Sequence, residues 1–395
     1  PGATVHVGDV NDGAGMLLVR GNLHAIGAST QPVVFTSPTD TGPGEWSGIA
    51  FDGGAGALRH ATVRYTGDEC YNCGLYESAA IRAINVLTGA VTIESSQIIS
   101  ASKPSHLQRG IWIENSHAVV SDTLISGLGG EPTGAPLYFS GNVQTATITG
   151  NRFQGNPRNR IVFAPQATLV SAMTWGPQAV YEGYELDNAD FIVAPSGALT
   201  VAPGTLVMAP RNGELYVQGQ LQALGTPTQP ITFTSLTNTG MDQWSGLSFD
   251  GGTGLLRYVT VRYAGYPNRI PEVALSGYYE AWHIGGSGAI AARNVLTGEL
   301  RLEHVNIIQN GYGWSWRPDV ALRLYNSHVV IADSLIADNG SPAARVDMLP
   351  ETNFTIFAYG PNTQLTLERN TFERNRGLSV LADGRFTLDA NLIRD

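Results

Sequence analysis

The sequence predicts an all-β chain wound as a β-solenoid of two tandem copies. Three observations predict it: a long self-match, a short strand-bend-strand motif that recurs through both copies, and glycine and proline scattered evenly along the chain.

The self-match comes first, because repeats decide the architecture. Residues 31–67 read QPVVFTSPTDTGPGEWSGIAFDGGAGALRHATVRYTG, and residues 229–265 read QPITFTSLTNTGMDQWSGLSFDGGTGLLRYVTVRYAG; 23 of 37 positions are identical without a gap. The match resumes at residues 85–89 with 294–298 (both NVLTG), and at residues 115–117 with 326–328 (both NSH). The offset between the copies grows from 198 to 211, so the second copy carries longer loops while its strands keep their length. The copies span about 1–202 and 203–395.

The motif inside each copy is six residues long, apolar at its first and last positions. It reads LRHATV at 58–63, IESSQI at 93–98, VSDTLI at 120–125 and ITGNRF at 148–153. The second copy gives LRYVTV at 256–261, LEHVNI at 302–307, IADSLI at 331–336, LERNTF at 367–372 and LDANLI at 388–393. Alternation of period two leads into the first apolar position, so a bend must follow for the last one to face the same interior. The fourth position holds a small residue, Val or Asn. The shortest interval, 21 residues between Leu367 and Leu388, fits one coil of a solenoid.

Composition agrees. Glycine and proline number 47 and 21, and no segment keeps apolar residues at i, i+3, i+4 and i+7 over three turns. Charged residues are only 14% of the chain against 43% hydrophobic, which excludes a disordered polyampholyte. Lys+Arg of 23 against Asp+Glu of 33 gives a net charge of −10, Lys103 is the only lysine, and no basic run suggests a nucleic-acid partner. No apolar stretch reaches the roughly 18 residues of a membrane span.

Residues 202–265, with APGTLVMAP, ELYVQGQLQALGTPTQPITFTS, QWSGLSFDGG and LLRYVTVRYAG, resemble bacterial right-handed parallel β-helix proteins of the pectin-lyase-like kind, and the resemblance extends over both copies. It implies a right-handed, single-stranded parallel β-helix: three parallel sheets around a narrow interior, with aliphatic and asparagine ladders inside. Asn151, Asn370 and Asn391, at the fourth motif position, are the ladder candidates. With strands about 4.8 Å apart, roughly 14 to 16 coils give a rod roughly 70 Å long.

Chemistry is harder to read. Enzymes of this shape include lyases, which need a cationic base, and hydrolases, which need two flanking carboxylates. The chain shows no Asp-Asp pair, Gly-His-Gly or Arg-x-Lys, although carboxylates from separate coils can converge. The aromatic insertions of the second copy are the binding candidates. Residues 266–286 carry Tyr266, Tyr278, Tyr279, Trp282 and His283, and residues 311–317 carry Trp314, Trp316 and Arg317. Loops at equivalent points of successive coils lie side by side, so the two form one surface for sugar rings or a protein partner, or bury themselves as a satellite core.

Cys70 and Cys73 sit in the corresponding first-copy loop. Zinc would need two further ligands at matching spacing, so a local disulfide in an extracellular compartment is the expectation. Asp9, Asn11 and Asp12 resemble half of a calcium loop but lack the acidic residue at the bidentate position, which favours a solvated turn. His117 and His328 follow Asn-Ser at equivalent coil-edge turns. No other cofactor is indicated. The first eight residues carry no Asp, Glu, Lys or Arg, and neither end shows a polar cap, so two expectations stand: the chain is a processed piece of a longer array, or it self-associates through the solenoid ends. The expected function is a non-enzymatic extracellular or cell-surface structural protein, adhesive or forming filaments. The alternative is a carbohydrate-active enzyme or glycan-binding module that uses the aromatic loops.

Overall fold

The structure is a computed structural model that describes residues 1–8, 15–68, 78–99, 101, 108–129, 134–187, 190–266, 288–311, 320–340, 354–376 and 378–394. Among these residues every regular element is a strand. The chain divides into two compact units, 1–184 and 185–395; the sequence copies meet instead at 202/203.

In the first unit three parallel ladders recur in fixed order along the chain. The first ladder joins Met16–Val19, Gly48–Asp52, Ser78–Ile84, Gln108–Glu114, Ala135–Ser140 and Arg160–Phe163. The second joins Asn22–Ile26, Ala55–Arg59, Val91–Glu94, Ala118–Ser121, Ala146–Thr149 and Ala172–Trp175. The third joins Thr4–His6, Val33–Thr36, Ala61–Arg64, Gln97–Ile99, Leu124–Ser126 and Arg152–Gln154. Each pass of the chain thus lays one strand on each ladder, parallel to the strand of the pass before.

The second unit repeats the order. Its first ladder is Phe191–Val193, Glu214–Val217, Gly246–Asp250, Ile290–Arg293, Leu322–Tyr325, Phe354–Tyr359 and Leu378–Ala382. In two passes the second and third ladders share one long bent strand, Thr253–Arg262 and Leu300–Ile308.

The bend is where the six-residue motif acts. Its third position has positive φ in all nine copies: His60, Ser95, Asp122, Gly150, Tyr258, His304, Asp333, Arg369 and Ala390, with φ between 47° and 66°. A left-handed residue there turns the strand and brings the fourth residue inward. Eight of the nine carry a Cβ in this region; at Gly150 a Cβ would lie 2.1 Å from Asp122 Oδ1, so a side chain there would displace the Asp122 carboxylate. The flanking apolar positions are buried throughout, from Leu58 and Val63 to Leu367 and Phe372, until Leu388 and Ile393, which are exposed.

The inward fourth residues replace the ladder hydrogen bonds that the bend interrupts. In the first unit Ser96 Oγ accepts from Ala61 N (3.1 Å), Thr123 Oγ1 from Ser96 N (3.4 Å), Asn151 Oδ1 from Thr123 N (3.1 Å), and Gln178 Oε1 from Asn151 N (3.0 Å). In the second unit Asn370 Oδ1 accepts from Ser334 N (3.0 Å), and Asn370 Nδ2 donates to Asn391 Oδ1 (3.0 Å). Asn370 and Asn391 are therefore bonded from pass to pass as expected, whereas Asn151 is bonded to Thr123 and Gln178. A further ladder, Asn310, Asn339 and Asn375, runs one turn later, with Asn310 Nδ2 on Asn339 Oδ1 (3.1 Å) and Asn339 Nδ2 on Asn375 Oδ1 (3.0 Å).

The core of the first unit also contains an aromatic stack. Phe139, Phe163, Trp175 and Tyr184 are fully buried, with successive ring centroids 5.1, 4.8 and 5.0 Å apart. The coil-edge turns contain the Asn-Ser-His motifs: Asn115 and Asn326 have positive φ, and Ser116 and Ser327 turn inward to accept from Val86 N and Val295 N.

Candidate functional site

Of the sequence candidates, Tyr266 is described, with the Arg211 guanidinium over its ring 4.9 Å from the centroid; the others fall on segments outside the described residues. These are Asp9, Asn11 and Asp12 in 9–14; Cys70 and Cys73 in 69–77; Tyr278, Tyr279, Trp282 and His283 in 267–287; and Trp314, Trp316 and Arg317 in 312–319. What is described is the set of strands these segments lead into. Residues 267–287 precede Ile290–Arg293, 312–319 precede Leu322–Tyr325, and 341–353 precede Phe354–Tyr359. All three strands are consecutive members of one ladder. In the first unit, 69–77 and 102–107 likewise lead into Ser78–Ile84 and Gln108–Glu114. Both aromatic insertions of the second copy therefore feed the same sheet, and the face of that sheet is the candidate site.

Register defines the face. Leu247, Ile290, Leu322 and Ile356 align in one row and Phe249, Ala292, Leu324 and Ala358 in another, all buried in the core. Side chains between these rows point to the opposite face. There Tyr216, Ser248, Ala291, Arg323 and Phe357 form one row, and Asp250, Arg293, Tyr325 and Tyr359 form the next.

A charged clamp anchors this face. Arg293 Nε donates to Asp250 Oδ1 (2.9 Å), and Arg293 Nη2 to Asp250 Oδ2 (2.5 Å), a bidentate pair between adjacent strands. The Tyr216 hydroxyl donates to the same Oδ2 at 2.5 Å. Burial works to raise the Asp250 carboxyl, but the hydrogen bonds from Arg293 and Tyr216 outweigh it and hold it below its ordinary value. Burial pushes the Tyr216 hydroxyl up, reinforced by the bond to Asp250, so it remains a donor. Beside the clamp Tyr325 and Tyr359 lie with ring centroids 4.9 Å apart, and Phe357 and Tyr359 with 4.7 Å. The result is an aromatic shelf next to a neutralised ion pair.

The first unit builds its equivalent face differently. Arg109 lies over Tyr138 (3.9 Å to the ring centroid) and Trp112 (4.6 Å), and the two rings meet edge to face at 6.2 Å. Trp112 Nε1 donates to Ser140 Oγ at 2.7 Å. This is a cation–π cluster where the second unit has a salt bridge.

Elsewhere, the carboxyl groups with displaced acidity among the described residues are all displaced downward: Asp40, Glu45, Asp250, Glu303, Asp333 and Asp338. Asp333 and Asp338 are held by bidentate contacts from Arg369 and Arg374 one pass away, and Glu303 by Arg301 and Arg257. Among the described residues no group of three or more His, Cys, Asp or Glu side chains could hold a metal ion. Nor is any helix among them long and apolar enough to cross a membrane.

Tyr216, Asp250, Arg293, Arg323, Tyr325 and Tyr359 were not among the sequence candidates. Their signal was present: GLSFD, IAAR, LRLY and the end of FTIFAY align so that Asp, Arg, Tyr and Tyr share one column.

No family model, curated protein or solved structure matches this chain. The long parallel strand ladders are compatible with a parallel β-helix.

Proposed function

We propose that this chain is a non-enzymatic structural protein of the extracellular space or cell surface, built as a right-handed, single-stranded parallel β-helix, and that it acts as an adhesive scaffold. The observation that carries the reading is the Asp250–Arg293–Tyr216 clamp. A general acid at neutral pH needs a carboxyl group whose acidity is pushed up. Asp250 is held in the opposite state, locked between a guanidinium and a phenol that keep it ionised. Such a group orders a surface; it does not donate protons. The neighbouring Tyr325 and Phe357 rings, half-buried beside the buried Tyr359, offer flat apolar area, suited to a saccharide ring or a protein loop. Surface glycan is the favoured ligand because the two aromatic insertions lead into this same sheet.

Glycan-array binding of the full chain tests the reading. Trp282→Ala and Trp314→Ala should abolish binding and leave circular dichroism and melting unchanged. Binding that survives both substitutions, or variants that fail to fold, would remove these loops from the surface.

A second reading, end-to-end self-assembly, has one observation in its favour. Leu388 and Ile393 are 64% and 65% exposed, although their counterparts one pass earlier, Leu367 and Phe372, are buried. Further coils, of this chain or of a second copy, would cover them. Concentration-dependent light scattering that vanishes in Leu388→Asp supports the second copy, and a strictly monomeric chain opposes it.

A further inference from the structure

Two leucines stand exposed at the same place in the two sequence copies. Among the described residues the exposed large apolar side chains lie in the first pass (Leu18, Ile26), in the last (Leu388, Leu392, Ile393), or at Leu87, Val180 and Leu296. Leu87 and Leu296, 56% and 41% exposed, are the third residues of the two NVLTG connections, which run from the first ladder to the second. The first connection holds its leucine firmly. Asn85 turns at φ 54°, and Leu87 N donates to Asn85 O (3.0 Å). The fully buried Val86 is tied twice, its N–H donating to Ser116 Oγ (2.9 Å) and its carbonyl accepting from His117 N (3.0 Å). A side chain on so fixed a turn loses little freedom when it meets a partner.

In the first unit this leucine borders a groove of about 340 Å³ on the outward face of the second ladder. Leu87, Ala90 and Val119 supply its apolar surface, and His117, Thr145 and Thr147 its polar groups. Among the described residues no Asp, Glu, Lys or Arg lines it, although the whole chain carries a net charge of −10. A chain so charged meets another copy of itself with least repulsion through a surface without acids. The second unit keeps the leucine and changes its surroundings. Glu299 stands where Ala90 stands: their carbonyls accept the same bond, from Gly254 N (3.3 Å) and Gly56 N (3.1 Å). Glu299 is exposed and pairs with Arg301 at 3.6 Å, so the counterpart of Ala90 carries charge.

We propose that the Leu87 groove is the contact surface of a reversible homodimer. A protruding leucine beside a groove of apolar character is self-complementary: under a twofold axis each Leu87 enters the groove of the other copy, against Ala90 and Val119. Leucine, alanine and valine suit a protein side chain, whereas a sugar ring takes an aromatic face. The patch is small beside a permanent interface, so the pair separates on dilution. It closes at two, unlike stacking through the ends. The dimer rests on neither the glycan reading nor end-to-end assembly, and it survives the failure of either.

Sedimentation equilibrium of the full chain carrying Leu388→Asp, which removes apolar contact through the last pass, reads the dimer directly. The mass should rise with concentration and level at twice that of the monomer. Leu87→Ala should raise the dissociation constant about tenfold or more, the loss expected for one buried leucine side chain. Ala90→Glu should do the same with circular dichroism unchanged, because the second unit already carries glutamate at that place. Leu296→Ala should leave the dissociation constant as it was. If Ala90→Glu does not fold, Leu87→Ala, at an exposed position, decides. A chain that stays monomeric to millimolar concentration overturns the dimer, as does a mass that grows past two. So does a dimer that Leu87→Ala leaves unchanged, or that Leu296→Ala weakens equally. A monomer whose melting midpoint rises with added oligosaccharide, and only while Leu87 is present, would make the groove a sugar site and overturn it as well.

Discussion

Residues 37–46 and 235–244 are the same loop in the two sequence copies, and they place their acids differently: Asp40 and Glu45 in the first, Asp242, paired with Arg211 at 2.6 Å, in the second. Both close on a buried tryptophan whose indole donates to a strand carbonyl at 2.8 Å, Trp46 to Arg64 O and Trp244 to Arg262 O. Both turn at a residue of φ 52°, Asp40 or Asn238, whose backbone N–H donates to the preceding serine hydroxyl at 2.9 Å. In both, a threonine hydroxyl donates to that residue's side chain. The first copy then adds an ion pair from Arg64 to Asp40, and Glu45 accepts from Ser37 and Thr41. The second copy has Asn238 and Gln243 at those positions, and Arg262 Nε is buried without a hydrogen-bond partner. Acid and amide accept the same hydrogen bonds, so the shape survives while the charge is free to diverge.

The largest expected effect bears on what the copies share. Trp46→Ala and Trp244→Ala each empty a fully buried site and should each cost about 3–5 kcal/mol in chemical denaturation. Similar costs support the equivalence of the two loops. A cost confined to Trp46 would show that the first loop depends on its charges as well.

Next comes the pass-to-pass ladder. Asn370→Ala strips a bond from the buried Ser334 N–H (3.0 Å) and another from the Ile331 carbonyl (2.8 Å). Each buried group left unpaired should cost about 1–3 kcal/mol. Asn370→Asp keeps an acceptor for Ser334 N but buries a carboxylate against the Ile331 carbonyl and Asn391 Oδ1, so at neutral pH it should cost at least as much as Ala. Denaturation midpoints check both.

The smallest effect is the pH dependence that separates the loops. Burial tends to raise the Glu45 carboxyl, but hydroxyls of Ser37, Thr41 and Thr39 hold it at about 2, against an ordinary 4.5. Asp40 is also lowered, by its hydrogen bonds from Thr36 and Arg64. Their folded-state values are depressed, so their contribution is complete above pH 4.5 and is lost as pH falls toward 2. Asp40→Asn with Glu45→Gln should make acid unfolding shallower in that window. Asn238→Asp should pair with Arg262, gain about 0–1 kcal/mol at neutral pH, and steepen acid unfolding.

How much of this was legible in the sequence follows from what repeats. The nine six-residue motifs gave the bend and the inward fourth position, because an alternation of period two can only be interrupted if the chain turns. They did not give the positive φ at third positions as different as His60, Arg369 and Gly150, since a backbone geometry tolerated by many residues leaves no single-letter signature. The Asn310–Asn339–Asn375 ladder was missed because it lies one turn beyond the motif, where each asparagine alone resembles a loop residue. The clamp was missed for a related reason. Asp250 and Arg293 are 43 residues apart, and only the register between their strands makes them neighbours. The aromatic insertions were legible as outliers between aligned strands, and the strands locate the sheet they lead into.

The proposed function is a surface that holds its ligand without transforming it. Its most direct test is the chain length and chemistry of a polysaccharide recovered after prolonged incubation with the protein, measured by mass spectrometry with reducing-end and unsaturated-product assays. The account predicts bound polysaccharide recovered intact, from wild type and from Asp250→Asn alike. Shortened or unsaturated product that disappears in Asp250→Asn would contradict it and make the clamp a catalytic site.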